Sequence, residues 1–358
     1  MRRHFIHFLT VVAAAFAAAS CGIDGGENTS TDLTISVDTP VIRCDGQSSA
    51  KIVVKLGGTP VTEGVSFYDG TTNKPVEIPN MTFTTTTAGL YSFWATYKTF
   101  HTEKIKITAI ESPLPELPAD PQPGKTSFVK KVFVTQFTGT ACGYCPKMIS
   151  ILEDMSNETP EQFILAACHT YNDSDPAFLN YSIDNALSVS GYPTVVLNLD
   201  KTQKFNDYTK PSQLKGMVAS DYGDGKCGVG ISASSVVDGQ NLVVKAQVKV
   251  ETSGRYRIGA WLLEDGIAAR QEGLGNIIHN NCVRDIYSKN SAYDYTGPLH
   301  IVEAGEAAVE FFMGTLDSKW VKENCHIVVF ACAQKENGNY VVANVIDFPM
   351  GQSHTFAY

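Results

Sequence analysis

The chain has 358 residues, is 43% hydrophobic and 18% charged, and carries a formal net charge of -9. An acidic chain has no electrostatic attraction to nucleic acid or to anionic lipid headgroups, which excludes nucleic-acid binding as its role. The length exceeds what a single hydrophobic core usually organises, so two or three domains are expected.

At the start, Arg2 and Arg3 precede an apolar run from Phe8 to Ala19. This is a basic region followed by an apolar region too short to span a bilayer, the pattern of a signal peptide over residues 1–20. Its end, Ala18-Ala19-Ser20-Cys21, resembles a bacterial lipobox. The resemblance implies that Cys21 is lipidated through its sulfur, becomes the first mature residue and holds the protein to a membrane. Residues 21–31 then read as a polar tether. Residues 1–20 contain both arginines and no acidic residue, so their removal leaves the mature chain more acidic.

Over residues 32–110, apolar positions alternate in short runs: Leu33, Ile35, Val37; Ile52, Val54, Leu56; Tyr91, Phe93, Ala95, Tyr97; Ile105, Ile107. A period of two with turn residues between runs predicts an antiparallel β-sandwich. The piece Ala88-Gly89-Leu90-Tyr91 resembles the late-strand region of bacterial immunoglobulin-like modules, which implies a spacer holding the next domain off the membrane. The segment Glu111 to Lys125 has five prolines in fifteen residues. Residues 111–127 are therefore expected to act as a semi-rigid linker.

From residue 128 the pattern changes to alternating strand and helix. Val132 to Phe137 predicts a strand, and Met148, Ile151, Leu152 and Met155 mark one face of a helix. Between them lie Cys142 and Cys145 in the sequence CGYC. A thiolate must form to attack a disulfide, and a second thiol must sit close enough to resolve the mixed disulfide. Two residues between the cysteines on a first helical turn provide that closeness. The helix amino terminus should lower the Cys142 pKa and make it the attacking sulfur, with Cys145 as resolver. Phe163 to Cys168 reads as a strand buried on both faces. Asp175 and Pro176 predict the start of a helix carrying Leu179, Ile183 and Leu187 and stopping at Gly191. Then follows Gly191-Tyr192-Pro193-Thr194-Val195-Val196-Leu197. A second hairpin strand is expected at Lys204, and a closing helix over Pro211 to Tyr222 with Leu214, Met217 and Val218 inward.

Residues 128–224 resemble a thioredoxin-fold domain. That resemblance implies that Pro193 is cis and packs beside the CGYC pair, and that Tyr144, Tyr192 and Thr194 flank a groove for extended substrate. Two positions depart from the family. Ala141 stands where tryptophan is usual, so the disulfide is expected to be less shielded. Gln136 stands where a buried aspartate assists the resolving cysteine, and an amide cannot act as a general base. His169 could serve only if the fold brings it near.

Residues 225–358 return to β structure. Leu242, Val244, Ala246, Val248 and Val250 alternate after an Asp238-Gly239 turn signal, and further strands are expected at Arg257 to Glu264, Ala307 to Met313, His326 to Ala333 and Tyr340 to Phe348. The segment before His279 reads as a long loop. The tract His279-Asn280-Asn281-Cys282-Val283-Arg284, with Ile258 to Gln271, resembles a feature of Bacteroidales outer-membrane lipoproteins related to outer membrane protein 28. Those proteins also join a lipobox, a thioredoxin-like domain and a carboxy-terminal β domain. Where they carry a second histidine this chain has Asn281, and no metal role is assigned. Cys325 and Cys332 lie an odd number of residues apart on one strand, hence on opposite faces, and cannot pair. With Cys44, Cys168, Cys227 and Cys282 they are expected to be mostly buried thiols.

The expected fold is multidomain α/β plus all-β: a thioredoxin-like domain flanked by an immunoglobulin-like β-sandwich and a C-terminal antiparallel β-sandwich. The expected function is that of a lipid-anchored cell-envelope thiol-disulfide oxidoreductase of reductase or isomerase type, in the outer membrane. It would act on protein substrates without a cofactor and would depend on an unidentified redox partner. The alternative is a non-catalytic surface binding lipoprotein that uses the thioredoxin fold as a scaffold.

Overall fold

The computed structural model describes residues 32–358; Cys21, the signal peptide and the tether lie outside the described residues. The described chain is mostly β-strand, with several sheets and few helices. It divides into two compact units, one ending at Leu114 and the other running from Pro115 to Tyr358.

The first unit contains β1 (Leu33–Val37), β2 (Val41–Arg43), β3 (Ala50–Leu56), β4 (Val65–Asp69), β5 (Gly89–Tyr97) and β6 (Ile105–Ile110). β1 pairs with β3 in one sheet, and β2, β6, β5 and β4 lie in that order in another. Alternate residues turn inward, so Ile52 and Val54 of β3 share a core with Phe93 and Ala95 of β5 and Ile107 of β6. Drawing one core from two sheets is the arrangement of a β-sandwich.

The second unit begins with a proline-rich segment that is docked rather than free. Asp120 accepts from Lys249 Nζ at 3.0 Å and from the Tyr358 hydroxyl at 2.6 Å, and Lys249 also donates to the Pro123 carbonyl. Residues 115–127 thus correct the expectation of a linker, because a buried cation and the chain terminus hold them to the β structure. Next come β7 (Val132–Thr138), α1 (Cys145–Glu158), β8 (Phe163–His169), a single turn α2 (Ile183–Ala186), β9 (Thr194–Leu197), β10 (Lys204–Phe205) and α3 (Pro211–Tyr222). The strands β11 (Val229–Asp238), β12 (Asn241–Val250), β13 (Gly254–Glu264), β14 (Ile267–Gln271), β15 (Gly275–His279), β16 (Cys282–Ile286), β17 (Ala307–Thr315), β18 (Cys325–Gln334) and β19 (Tyr340–Pro349) follow.

The expected boundary at residue 224/225 does not separate two compact bodies. One sheet runs β10, β9, β7, β8, β16, β13, β18, β19, and the crossing point is the parallel pairing of β8 with β16. The sheet curls until its last strand returns to its first end. There the Val342 N–H donates to the Asn198 carbonyl at 2.9 Å, and Asn344 bridges Lys131, Val129 and Val229. A core is enclosed inside this curl. Phe133 and Phe137 of β7 meet Trp261 and Leu263 of β13 and Val328 and Phe330 of β18 there. Phe133 stacks on Phe330 at 5.4 Å and meets Trp261 edge-on at 5.1 Å. Gly259 makes this packing possible, since a Cβ there would come within 2.2 Å of the Phe330 ring.

The other face of the sheet is covered in two ways. Val132 and Val134 of β7 pack under Met148, Leu152 and Met155 of α1 and Leu214 and Val218 of α3. Ile258, Ala260 and Leu262 of β13, with Ile327, Val329 and Ala331 of β18, face a second sheet of β17, β12 and β11. With both faces buried, these strands have few polar positions. The C-terminal part is therefore a sandwich that shares one of its sheets with the CGYC part. Cys325 packs in the outer core and Cys332 in the inner one, on opposite faces of β18.

The helix expected from Asp175 to Gly191 is largely absent. Only Ile183–Ala186 is helical, and the residues before it form turns around a single bridge of Phe178 to His169, with Leu179 N–H bonded to the His169 carbonyl at 2.9 Å. Asp175 is the cause: its carboxylate is drawn to His169 and Thr140, which holds the chain across the end of β8.

Candidate active site at the CGYC turn

β7 delivers the chain to a turn at Gly139–Tyr144, and α1 begins at Cys145 with Pro146 in its first turn, where a missing N–H costs nothing. Cys142 therefore precedes the helix rather than sitting on its first turn. Its N–H donates to the Gly139 carbonyl at 3.0 Å, and its carbonyl accepts from Cys145 N–H at 3.3 Å. The two sulfurs are joined in a disulfide.

Cys142 is only 3% exposed and Cys145 is fully buried. This corrects the expectation, drawn from Ala141, of a less shielded disulfide. Ala141 is itself exposed, but a hairpin of β14 and β15 lies over the turn, where the sequence suggested a loop. Gln271, at the end of β14, donates its amide to the carbonyls of Cys142 at 2.9 Å and Gly139 at 3.2 Å. The Glu272 N–H donates to the Thr140 carbonyl at 2.7 Å. Glu272-Gly273-Leu274, a three-residue turn containing glycine between apolar runs, is the sequence signal that identifies this hairpin.

β9 pairs antiparallel with β7, with Thr194 opposite Phe137, and the Tyr192–Pro193 bond before it is cis. Of the residues assigned to substrate, Tyr144 presents an open ring, 61% exposed. It stacks on Tyr208 with centroids 6.0 Å apart, and the Lys147 ammonium lies 4.7 Å from the Tyr208 ring centre. Tyr192 is half-buried, with its hydroxyl 2.9 Å from both Thr170 and Asp184; burial, with the Asp184 carboxylate, pushes its phenol up to about 12. Thr194 is buried, and its hydroxyl donates to the Gly191 carbonyl at 2.6 Å. The Tyr192 and Thr194 side chains are thus occupied within the fold.

Gln136 is buried, and its Nε2 has no hydrogen-bond partner among the described residues. His169 is engaged elsewhere. Its Nδ1 lies 2.8 Å from Asp175 and its Nε2 3.6 Å from the Cys282 sulfur, while the ring of His279 meets it edge-on at 5.1 Å. Asp175 also accepts from the N–H groups of Thr140 at 2.7 Å and Ala177 at 2.8 Å. Burial opposes its ionisation, but the bond to His169, that residue's charge and the two N–H groups outweigh it and hold the carboxyl at about 2. A thiol, an imidazole and a carboxylate in line have the form of a nucleophilic triad. Here burial pushes the Cys282 thiol far up, so it stays protonated and inert. This cluster is structural: it pins the turn that carries Cys142. Among the described residues no group of three or more His, Cys, Asp or Glu is placed to hold a metal. Apart from the CGYC pair, the described cysteines are free, with Cys168, Cys282, Cys325 and Cys332 buried.

His279 makes this region sensitive to acid. Burial, then the neighbouring His169, holds its imidazole down from 6.5 to about 4, with the Asp175 carboxylate opposing. The folded chain keeps His279 neutral where the unfolded chain would protonate it. The stability this represents is present above about pH 6.5 and is lost as pH falls toward about 4, up to about 3 kcal/mol. Urea unfolding at about pH 7 and about pH 4.5 should show that loss in the parent and a smaller one in His279→Gln. Equal losses would contradict it.

The family profile described as "Outer membrane protein Omp28" matches residues 180–353, just under half of the chain, beginning after both CGYC cysteines. By its description, that family is one of outer membrane proteins. Among solved structures, HBP35 of Porphyromonas gingivalis is 19% identical with a TM-score of 0.53, over 63% of this chain and 77% of that one. At that identity the likeness speaks for the fold alone. A domain of the outer membrane lipoprotein Omp28 from Porphyromonas gingivalis is 17% identical over 34% of this chain and 88% of that one, and its TM-score of 0.24 carries no argument. Comparison with curated proteins gives no match.

Proposed function

We propose that this protein is an outer-membrane lipoprotein anchored through Cys21, and that its CGYC turn carries out thiol-disulfide exchange on protein substrates. The observation that carries the reading is a disulfide in the turn from β7 into α1, with β9, the strand that follows Pro193, paired antiparallel to β7. That combination is what a thioredoxin-like domain requires. In the reduced form, the Cys142 thiolate attacks a substrate disulfide, making a mixed disulfide and releasing one substrate thiolate. Cys145 then attacks the Cys142 sulfur, closing the internal disulfide and releasing the second substrate thiol. Two electrons pass to the substrate, and an envelope dithiol must restore the reduced pair. The backbone at Tyr192 and Pro193 orients the substrate strand, and the exposed Tyr144 ring supplies apolar contact.

A second reading has the stronger support from the comparisons: a non-catalytic binding lipoprotein in which this fold is a scaffold. It is favoured by the Omp28 match, which begins at residue 180 and leaves out both cysteines, and by the coverage of Cys142. The test is insulin reduction and refolding of scrambled ribonuclease by the mature protein and by Cys142→Ser. Exchange chemistry predicts rates that fall to the uncatalysed level in the variant. Equal rates, both in the intact chain and with the covering hairpin loosened, would leave the binding reading.

A further inference from the structure

We infer that the hairpin β14–β15 is a hinged cap that closes the CGYC disulfide to protein substrates and must swing off before Cys142 can take part in exchange. The inference rests on the thiol-disulfide reading for its consequence, but its geometry stands apart from it.

The cap is fastened to the body at few points. Its two strands pair with each other and with no strand of the larger sheets. Gln271 and His279 are its buried residues, while Leu274 and Ile278 are 55% and 54% exposed. An element with so little buried apolar surface opens at lower free energy than the strands around it. Both ends of the hairpin carry hinge-like residues of positive φ, Gly266 at 78° and Asn281 at 56°. Across these ends, Gly266 N–H donates to the Asn280 side chain at 3.0 Å and Asn281 N–H to Asp265 at 2.6 Å. These bonds hold the base of the hairpin together, so that it would swing as one piece once its tip is released.

The tip makes the seal. Gly273 has φ 80°, and a Cβ there would stand 3.0 Å from the Gly143 carbonyl, inside the CGYC sequence. Glycine lets the backbone come that close. Glu272 bonds to Thr140, and the Gln271 amide fills two carbonyls of the turn. An extended substrate approaching Cys142 would have to displace these contacts.

The test is the rate at which a water-soluble phosphine reduces the Cys142–Cys145 disulfide in the folded, oxidised mature protein, read by alkylation and mass spectrometry. Gln271→Ala removes both amide bonds and Gly273→Val forces the tip away from Gly143. Each should raise the reduction rate about tenfold or more, the change expected from loss of one to two hydrogen bonds. Hydrogen exchange on the unmutated protein supplies a second measurement that no folding failure can remove. Amides of residues 267–279, Glu272 among them, should exchange well before those of β13 and β18. Unchanged reduction rates in folded variants, or hairpin amides as slow as the sheet, would overturn the cap. These readouts need no catalysis. If the disulfide becomes accessible while no variant reduces insulin, the cap stands and the oxidoreductase reading falls.

Discussion

Trp261→Ala should destabilise the whole of residues 115–358 by about 3–5 kcal/mol, and in one transition. Trp261 is fully buried, meets Phe133 and Phe330 edge-on and donates its indole N–H to Ser288 at 3.0 Å. Truncation leaves a ring-sized cavity in the core inside the curled sheet, and it removes the donor to the Ser288 hydroxyl, which keeps only its bond to the Tyr295 carbonyl. That core mixes Phe133 and Phe137 from the CGYC part with β13, β18 and β19. A cavity made on the C-terminal side is therefore felt by the strand that carries the cysteines. Urea unfolding followed by far-ultraviolet circular dichroism, and by the reactivity of the buried Cys168 and Cys332, should give coincident curves shifted together. A variant in which Cys332 becomes reactive well before Cys168 would show two independent bodies.

Asp175→Ala should cost a similar amount, about 3–5 kcal/mol, because it removes one member of a buried pair and leaves two N–H donors without an acceptor. The carboxylate serves His169, Thr140 and Ala177 at once, and Thr140 lies two residues before Cys142. Asp175→Asn keeps one acceptor oxygen and should cost less. The pH dependence has a definite sign. The folded carboxyl is held at about 2, against 3.8 when unfolded, so its contribution is present above about pH 4 and is lost as pH falls through about 2. The penalty of the alanine variant, measured as a shift in urea midpoint, should thus shrink below about pH 4. A penalty that stays constant down to about pH 2 would show that Asp175 acts through shape alone.

Much of the CGYC part was legible in the chain. Met148, Ile151, Leu152 and Met155 lie on the buried face of α1, and the helix Pro211–Tyr222 has the bounds its pattern indicates. Period and punctuation act over a few residues, so they survive in sequence. The Asp175–Gly191 stretch failed because Asp175 looks locally like a helix cap, while its partners come from β8 and from the turn before Cys142. The covering hairpin was missed for a related reason. Ile267 to His279 carries a weak alternation, and nothing along the chain says that Gln271 will reach Cys142.

By itself the sequence determined the chemistry on offer: an acidic chain with a CGYC pair, a proline-entered strand, and strands whose apolar runs demand burial on both faces. These follow from residue type and spacing alone. Tertiary structure decided how that chemistry is presented. It joined two apparent domains through one curled sheet, in which Phe133 and Trp261 are buried against each other. It also laid a hairpin from the far part of the chain over Cys142. The physical reason is range: hydrogen bonds from Gln271 to Cys142, or from Thr140 to Asp175, join residues distant in sequence, and only the folded chain brings them within reach.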